Sequence, residues 1–311
     1  MSSNPRLVLA GGSGFLGTVL ADYFGCRGWD VVVLTRKPTR GNSAARRVEW
    51  DGQTLGPWVT ELENARALVD LCGVSVNCRY HARNRKRIID SRIDPTRALG
   101  AAMENCSSPP EVWLNASTAT IYKHTFGPAW DESGEIGATP EAKDEFSVDV
   151  ATAWERTFTS FNLPQTRKAL LRSAMVLGRG RNSVVSTMRR LTRLGLGGRM
   201  AGGRQFVSWV HEQDFARAVE WIIEHANLDG PVNIAAPTPV TNDEMMQTFR
   251  EIYGRRVGLP ASKWMLEVGA FFLRTETELI IKSRRVVPGR LLSSGFEFRF
   301  PKLHSALRDL R

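Results

Sequence analysis

Three groups of residues in this sequence have the types and spacing to do chemistry. The first is the run Gly11-Gly12-Ser13-Gly14-Phe15-Leu16-Gly17. It fits Gly-x-Gly-x-x-Gly from Gly12 and Gly-x-x-Gly-x-x-Gly from Gly11. Glycines at this spacing allow a tight turn, a close backbone approach to a pyrophosphate, and close packing of the next helix on the preceding strand. The second group is Thr35-Arg36-Lys37. A guanidinium grips two phosphate oxygens at once, an ammonium adds a looser point charge, and a hydroxyl adds a donor. The third is Ser117, Thr118 and Tyr122, within Ser117-Thr118-Ala119-Thr120-Ile121-Tyr122. Serine and threonine hydroxyls can donate to a developing oxyanion, and a phenol can exchange a proton with a substrate oxygen. His124, Asp131 and Glu132 follow closely, with loop solvation as their expected role.

Strands and helices must hold these groups. Arg6 to Ala10 reads as a short buried strand, and Val19, Leu20 and Phe24 mark the apolar face of the helix after the glycine loop. A glycine loop between a strand and a helix is a dinucleotide-binding turn, because the helix N-terminus offers free N–H groups and a positive dipole end to phosphates. The second strand, Asp30 to Leu34, ends without the acid that would hold a ribose 2′-hydroxyl; Thr35, Arg36 and Lys37 stand there instead. That substitution favours the 2′-phosphate of NADP(H) as the cofactor. Further strands are expected at Arg47 to Trp50, Ala67 to Gly73, Glu111 to Ala116 and Ala169 to Leu171, the last continuing to Gly178. Helices are expected around Arg87 to Met103 and through Val150, Trp154 and Phe158. This alternation predicts an α/β fold with a doubly wound parallel Rossmann sheet.

Beyond Gly178 the rhythm changes. Gly178-Arg179-Gly180-Arg181-Asn182 opens a basic helix, and the glycine-rich stretch Leu194 to Gly203 reads as a flexible loop near a ligand. Phe206 to Val210 and Pro231 to Ile234 read as strands, Gln213 to His225 as a helix, and Trp264 to Leu273 as a core helix. From Thr241 the chain is mainly helical, a small cap expected over the carboxyl ends of the strands. The expected division is a dinucleotide-binding domain at 1–235, with 173–205 contributing to the substrate side, and a substrate-side domain at 236–311.

Composition narrows the function classes. At 42% hydrophobic and 24% charged residues, the 311-residue chain suits a globular protein, without an apolar run fit to span a bilayer. Its start lacks the pattern of a signal peptide, and Cys26, Cys72, Cys78 and Cys106 form no CxxC pair. Both favour the cytoplasm, with reduced thiols and no metal site. A net charge of +10 favours anionic ligands. The densest basic run, His81-Ala82-Arg83-Asn84-Arg85-Lys86-Arg87, has no interleaved aromatics and no nucleic-acid motif beside it. It reads as a solvated helix face, so nucleic acid and membrane are not expected partners.

The chain resembles the extended short-chain dehydrogenase/reductases over almost its full length. The glycine loop, Leu71-Cys72-Gly73, Ser117 to Tyr122 and Val210-His211-Glu212-Gln213-Asp214 carry the resemblance. Within that group it is most similar to the atypical epimerase-like family with a short C-terminal domain. The pointers are Ser91-Arg92-Ile93-Asp94, Gly195-Leu196-Gly197-Gly198, Arg204-Gln205 leading to Ser208-Trp209-Val210-His211, Arg285-Val286-Val287-Pro288 and Gly295-Phe296. The resemblance implies that Gly11, Ser13, Gly14, Phe15 and Leu16 line the pyrophosphate and that Thr35 and Arg36 meet the 2′-phosphate. Leu71 and Cys72 then pass the adenosine and ribose, with Arg92 on the helix behind. His211 is implied to be structural.

One departure from that pattern bears on chemistry. The superfamily's acid/base is a tyrosine four residues before a lysine, on the helix after the fifth strand. Here those two positions hold Ser147 and Ala151, and the four tyrosines are Tyr23, Tyr80, Tyr122 and Tyr253. Ser117, Thr118 and Tyr122 are then the catalytic candidates, with Tyr122 as substitute proton donor. Three readings stay open. One is an NADP(H)-dependent, epimerase-like oxidoreductase acting on a small polar substrate (a nucleotide sugar or a carbonyl compound), with the basic stretch Arg179 to Arg204 pointing to an anionic group. Another is a non-catalytic NADP(H)-binding sensor or interaction protein. The third is a nucleic-acid binder resting on charge alone.

Overall fold

The computed structural model describes residues 4–38, 45–180, 183–262, 264–265 and 278–311. Arg181 and Asn182, and most of the stretch Trp264 to Leu273, lie outside the described residues. The strands are β1 (Arg6–Ala10), β2 (Asp30–Thr35), β3 (Arg46–Glu49), β4 (Ala67–Asp70), β5 (Val112–Thr118), β6 (Arg167–Ser173), β7 (Met175–Leu177), β8 (Phe206–Val207), β9 (Trp209–His211), β10 (Gly230–Ile234) and β11 (Val240–Thr241). The helices are α1 (Phe15–Gly25), α2 (Ala82–Glu104), α3 (Glu145–Thr159), α4 (Val184–Arg193), α5 (Glu212–Glu224), α6 (Asn242–Ile252), α7 (Glu278–Ile281), α8 (Gly289–Ser293) and α9 (Leu303–Asp309).

Alternation of side chains along each strand builds two core layers around one sheet. Leu7, Leu9, Val31 and Val33 pack with Leu20 and Phe24 of α1 and Phe215 and Val219 of α5. Val8, Ala10, Val32 and Leu34 face the other way, toward Leu99 of α2 and Phe158 of α3. Strands buried on both faces read as continuous apolar runs, which is why Leu-Val-Leu-Ala and Val-Val-Val-Leu are so plain in the sequence. The seven main strands run parallel in the order β10-β6-β5-β4-β1-β2-β3, the expected doubly wound sheet. The chain winds outward from β1 to β3, then returns to the other side of β1 as β4. That reversal opens a crevice at the carboxyl ends of β1 and β4, the place where open α/β sheets bind ligands.

Several elements depart from the sequence reading. The strand expected to run on from Leu171 to Gly178 breaks at Ala174; β7 leaves the main sheet and pairs in parallel with β9. Phe206 to Val210 likewise divides, with β8 pairing β11. The stretch Leu194 to Gly203 is not a free loop: it is tied to residues 259–261. Leu259 N donates to Gly195 O, Ala261 N to Arg199 O, and Ala201 N to Ala261 O, at 2.8–3.0 Å. Gly198 permits that contact: a Cβ there would lie 2.4 Å from the Leu259 carbonyl. A third core joins Leu177, Val185 and Trp209 to Met245, Phe249, Leu303 and Leu307, so the segment after β6 packs with the tail, while Val176 stays against the core of the main sheet. The tail reaches the carboxyl ends of the sheet through residues 278–287. Trp130 N donates to Arg285 O at 2.7 Å, and Val287 N to Trp130 O at 2.8 Å.

Candidate functional site

The crevice is a groove of about 890 Å³. Gly11, Ser13, Gly14, Thr35, Arg36, Leu71 and Cys72 line it, so the structure brings most of the expected cofactor residues together. Gly11 has φ +69°, and a Cβ there would lie 2.9 Å from the Cys72 backbone. At Gly17 a Cβ would lie 2.3 Å from Gly12, so this glycine lets α1 start directly on the end of β1. The N-cap Gly14 has no side-chain cap, and the first turn of α1 carries no acid. Nothing on α1 therefore competes with an anion for its N-terminal amides, and the site fits a phosphate.

The remaining expected residues act from outside the groove. The Phe15 ring packs where a Cβ at Gly178 or Gly180 would come within 2.4 or 2.8 Å of it, tying the segment after β7 to the loop. Leu16 turns toward the core. Arg92 lies behind the strand end: its guanidinium donates to Ile88 O at 2.9 Å and Val74 O at 3.3 Å, and sits 5.3 Å from the Trp154 ring centre. Its role is to hold the turn after β4.

Two sets of groove residues escaped the sequence reading. Trp50, Asp51, Gly52 and Gln53 line the wall beside β2. Arg83, Lys86 and Arg87 also line it, because α2 begins at Ala82, a turn earlier than expected. The basic run is therefore part of the groove rather than only a solvated face. The available signal was positional: a helix that follows a strand of a parallel sheet starts at the ligand-binding edge.

Asp70 shapes the floor. Its carboxyl is fully buried, accepts from Cys72 N at 2.9 Å, and lies 3.0 Å from Thr96 Oγ1. Burial pushes its pKa up to about 6. The folded value exceeds the unfolded one, so Asp70 favours folding below about pH 4, and that contribution is lost as pH rises to about 6. Asp70→Asn should remove this decline. Melting temperatures of both proteins at several pH values between about 4 and 7 check it. Parallel curves would show that Asp70 does not titrate there.

The catalytic candidates do not converge on the groove. Tyr122 is 1% exposed; its hydroxyl donates to Asn233 Oδ1 at 2.8 Å and accepts from Arg172 at 2.9 Å. Burial also raises its pKa. Ser117 is buried and donates to Glu155, whose two oxygens accept from Arg172 at 2.9 and 2.8 Å. Tyr122 and Ser117 thus belong to a buried polar network across β5, β6 and β10, in which the Tyr122 hydroxyl is held by Asn233 and Arg172. Tyr122→Phe should cost about 1–2 kcal/mol of stability and leave cofactor affinity unchanged; denaturant titration and cofactor binding read the two effects. Thr118 is half-buried at the end of β5, where its side chain accepts from Thr120 N at 3.1 Å.

His124 and Glu132 also need correction, since both are anchors rather than solvated loop residues. His124 Nδ1 accepts from Ser283 N at 2.9 Å. Glu132 accepts from Asn233 N at 2.9 Å and Arg290 N at 3.1 Å, joining β10 to the tail. Asp131 stays a local turn residue, accepting from Ser133. His211 is structural as implied, capping α5 through Gln213 N and stacking on Phe300 with ring centres 4.0 Å apart.

A parallel sheet in this order, with a glycine loop at its switch point, defines a Rossmann-type dinucleotide fold. The sequence profile of the NAD-dependent epimerase/dehydratase family matches residues 7–235, and the chain belongs to that family. A domain of unknown function matches residues 261–310. Among its relatives is the human epimerase family protein SDR39U1, 30% identical over 98% of this chain and 99% of that protein. Epimerase family protein YfhF of Bacillus subtilis is 27% identical, over 98% and 97% of the two chains. The crystal structure of human SDR39U1 (isoform 2) with NADPH superposes with a TM-score of 0.85, at 30% identity and 98% coverage of both chains. UDP-N-acetylglucosamine 4-epimerase from Bacillus cereus shares the fold, with a TM-score of 0.74 at 18% identity over 99% and 95% of the chains.

Proposed function

We propose that this protein binds NADP(H) in the groove and acts as an epimerase-like oxidoreductase on a small polar substrate with an anionic group. The observation that carries the cofactor choice is the charge of one groove: Arg36, Lys37, Arg83, Lys86 and Arg87 outnumber Asp51, Asp90 and Asp94 in its lining, only Lys86 among those cations being paired with one of these acids, and the uncapped α1 turn adds its amides. Pyrophosphate on α1 and a 2′-phosphate beside Arg36 would lay the cofactor across β1 and β4, with its reactive end toward β5. NADP(H) would supply or remove a hydride; the chain's own residues fix its position and handle the proton. The NADPH bound to the human relative supports this reading.

Support for an anionic substrate comes from a second cavity of about 790 Å³, lined by Ser75, Asn77, Ser186, Thr187, Arg189, Arg190, Arg193 and Leu194. It begins where the cofactor groove ends, at the Val74–Ser75 step. Three guanidinium groups, with no carboxylate in that lining, suit a phosphate or carboxylate better than a neutral sugar. The four cysteines are free thiols, in keeping with the cytoplasm as its setting.

Titration of both cofactors tests the reading: NADP(H) should bind more tightly than NAD(H), and equal affinities would overturn the cofactor choice. Arg83→Ala or Arg87→Ala should weaken NADP(H) by about two- to fivefold, the worth of an exposed cation. For the substrate, carbonyl compounds compared with their phosphorylated forms should show the phosphorylated form turned over faster, with the preference reduced by Arg190→Ala. The sensor reading draws on the confinement of Ser117 and Tyr122 to the buried network. Tight NADP(H) binding with no turnover of any carbonyl or sugar would favour it.

A further inference from the structure

With Ser117 and Tyr122 held in the network, the reaction needs a proton donor from elsewhere. The C-terminal segment brings charged groups to the end of β5. Arg284 Nε donates to Thr120 Oγ1 at 3.1 Å, and the Lys282 ammonium donates to the Thr120 carbonyl. Lys282 also pairs with Asp144, the N-cap of α3, both side chains being almost fully buried. Ser147, in the first turn of α3, donates its hydroxyl to Glu278 of α7. The Lys282 and Arg284 contacts meet the turn Ala119–Ile121, the residues that follow Thr118 at the end of β5.

We propose that Glu278 is the proton donor and acceptor of the reaction, poised by Ser147 and by the flanking cations Lys282 and Arg284. The proposal rests on the cofactor reading above. Asp144 and Glu155 are tied into ion pairs with Lys282 and Arg172, whereas Glu278 takes its hydrogen bond from the neutral Ser147 hydroxyl. When Glu278 takes up a proton, Lys282 keeps its pair with Asp144, and the buried Arg284 loses its strongest charge partner but keeps Asp144 and its bond to Thr120. Glu278 is only 7% exposed. Burial raises its pKa above the usual carboxylate range, Asp144 adds to that, and Ser147, Arg284 and Lys282 pull it back. Among the described residues, the charged or titratable groups around it are Asp144 from the start of α3 and Lys282 and Arg284 from its own segment, with Tyr80 acting on Arg284. A carboxyl in such surroundings suits general acid and base work. Reduction of a carbonyl takes a hydride at carbon and a proton at oxygen. The cofactor would bring the hydride; Glu278 would give its proton to the oxygen that gains the electron pair, and would be left as the carboxylate.

The test needs no substrate. NADP⁺ and NADPH differ by one positive charge, on the nicotinamide ring, so a carboxylate nearby favours the oxidised form and a neutral carboxyl does not. Their phosphates titrate alike and cancel in the ratio of dissociation constants. For the wild type, the ratio of the NADPH constant to the NADP⁺ constant should rise by roughly threefold or more between about pH 5 and pH 8, as one charge acting on another in a partly solvated site would give. Glu278→Gln should leave the ratio level. Ser147→Ala, which removes a donor to the carboxylate, should move the rise to higher pH, and this variant serves if Glu278→Gln does not fold. A level wild-type ratio, or a rise that survives Glu278→Gln, would overturn the proposal while leaving NADP(H) binding standing. Failure to bind either form would overturn the cofactor reading with it.

Discussion

Glu155→Ala is expected to lower stability by about 3–5 kcal/mol, the cost of leaving a buried charge without its partner. The side chains of Arg172 and Glu155 are 4% and 11% exposed, and the guanidinium meets both carboxylate oxygens. Burial works against the charge on Arg172, but Glu155 more than offsets this and holds the guanidinium charged. Removing Glu155 also strips Ser117 of its acceptor. At the other end of the network, Tyr122 links Arg172 to Asn233, and Asn233 donates to Val287 of the tail at 3.0 Å. The loss should therefore spread to the seating of residues 278–287. Denaturant unfolding gives the magnitude, and the melting temperature should fall by roughly 5–15 °C. Glu155→Gln, which keeps an acceptor for Ser117, should lose less. Replacing both partners with apolar residues of similar volume should restore most of the loss, since such pairs often contribute little net stability. A loss from Glu155→Ala below about 1 kcal/mol would place the pair among ordinary surface bridges.

The sheet was legible in the sequence because its strands are buried on both faces and its glycines have single purposes. Leu7 to Ala10 and Val31 to Leu34 could hardly sit elsewhere than in the middle of a parallel sheet. The phosphate loop was legible for the same local reason: strand, loop and helix are contiguous in the chain. What escaped depends on partners distant in sequence. Tyr122 reads as a candidate donor until Arg172 and Asn233, 50 and 111 residues away, are seen to hold its hydroxyl. Gly195 to Gly203 looks mobile because glycine density usually breaks structure, yet Gly198 lets the 257–261 segment approach, and Gly195, Gly202 and Gly203 hold positive φ. His124 and Glu132 look like solvated loop residues until Ser283 and Arg290 arrive from the tail. Glu278 shows no local signal at all; only the fold brings it to Ser147. Local patterns reveal where a phosphate can bind, and tertiary contacts decide which hydroxyls and carboxyls remain available for proton transfer.

Arg36→Ala is expected to weaken NADP(H) about ten- to a hundredfold and to leave NAD(H) nearly unchanged. The two cofactors differ by one 2′-phosphate, so discrimination must come from charge beside the end of β2. Arg36 is exposed at that end, in the wall of the groove, with Lys37 next to it. Thr35 is buried, and its hydroxyl accepts from Lys37 N at 3.4 Å, which turns the chain so that Arg36 stands at the edge. A planar guanidinium can pair two phosphate oxygens, and hydrogen bonds to charged groups contribute about 1.5–3 kcal/mol each. Losing both, with partial replacement by water and by the cations of α2, gives the stated range, since 1.4 kcal/mol is tenfold. Arg83 and Arg87 line the same groove, so the triple variant should bind the two cofactors almost equally. The measurement is a titration of NADP(H) and NAD(H) against wild type and variants at fixed ionic strength, because exposed pairs are screened by salt. A variant that loses both cofactors alike would show that Arg36 supports the fold of the groove rather than the choice of phosphate.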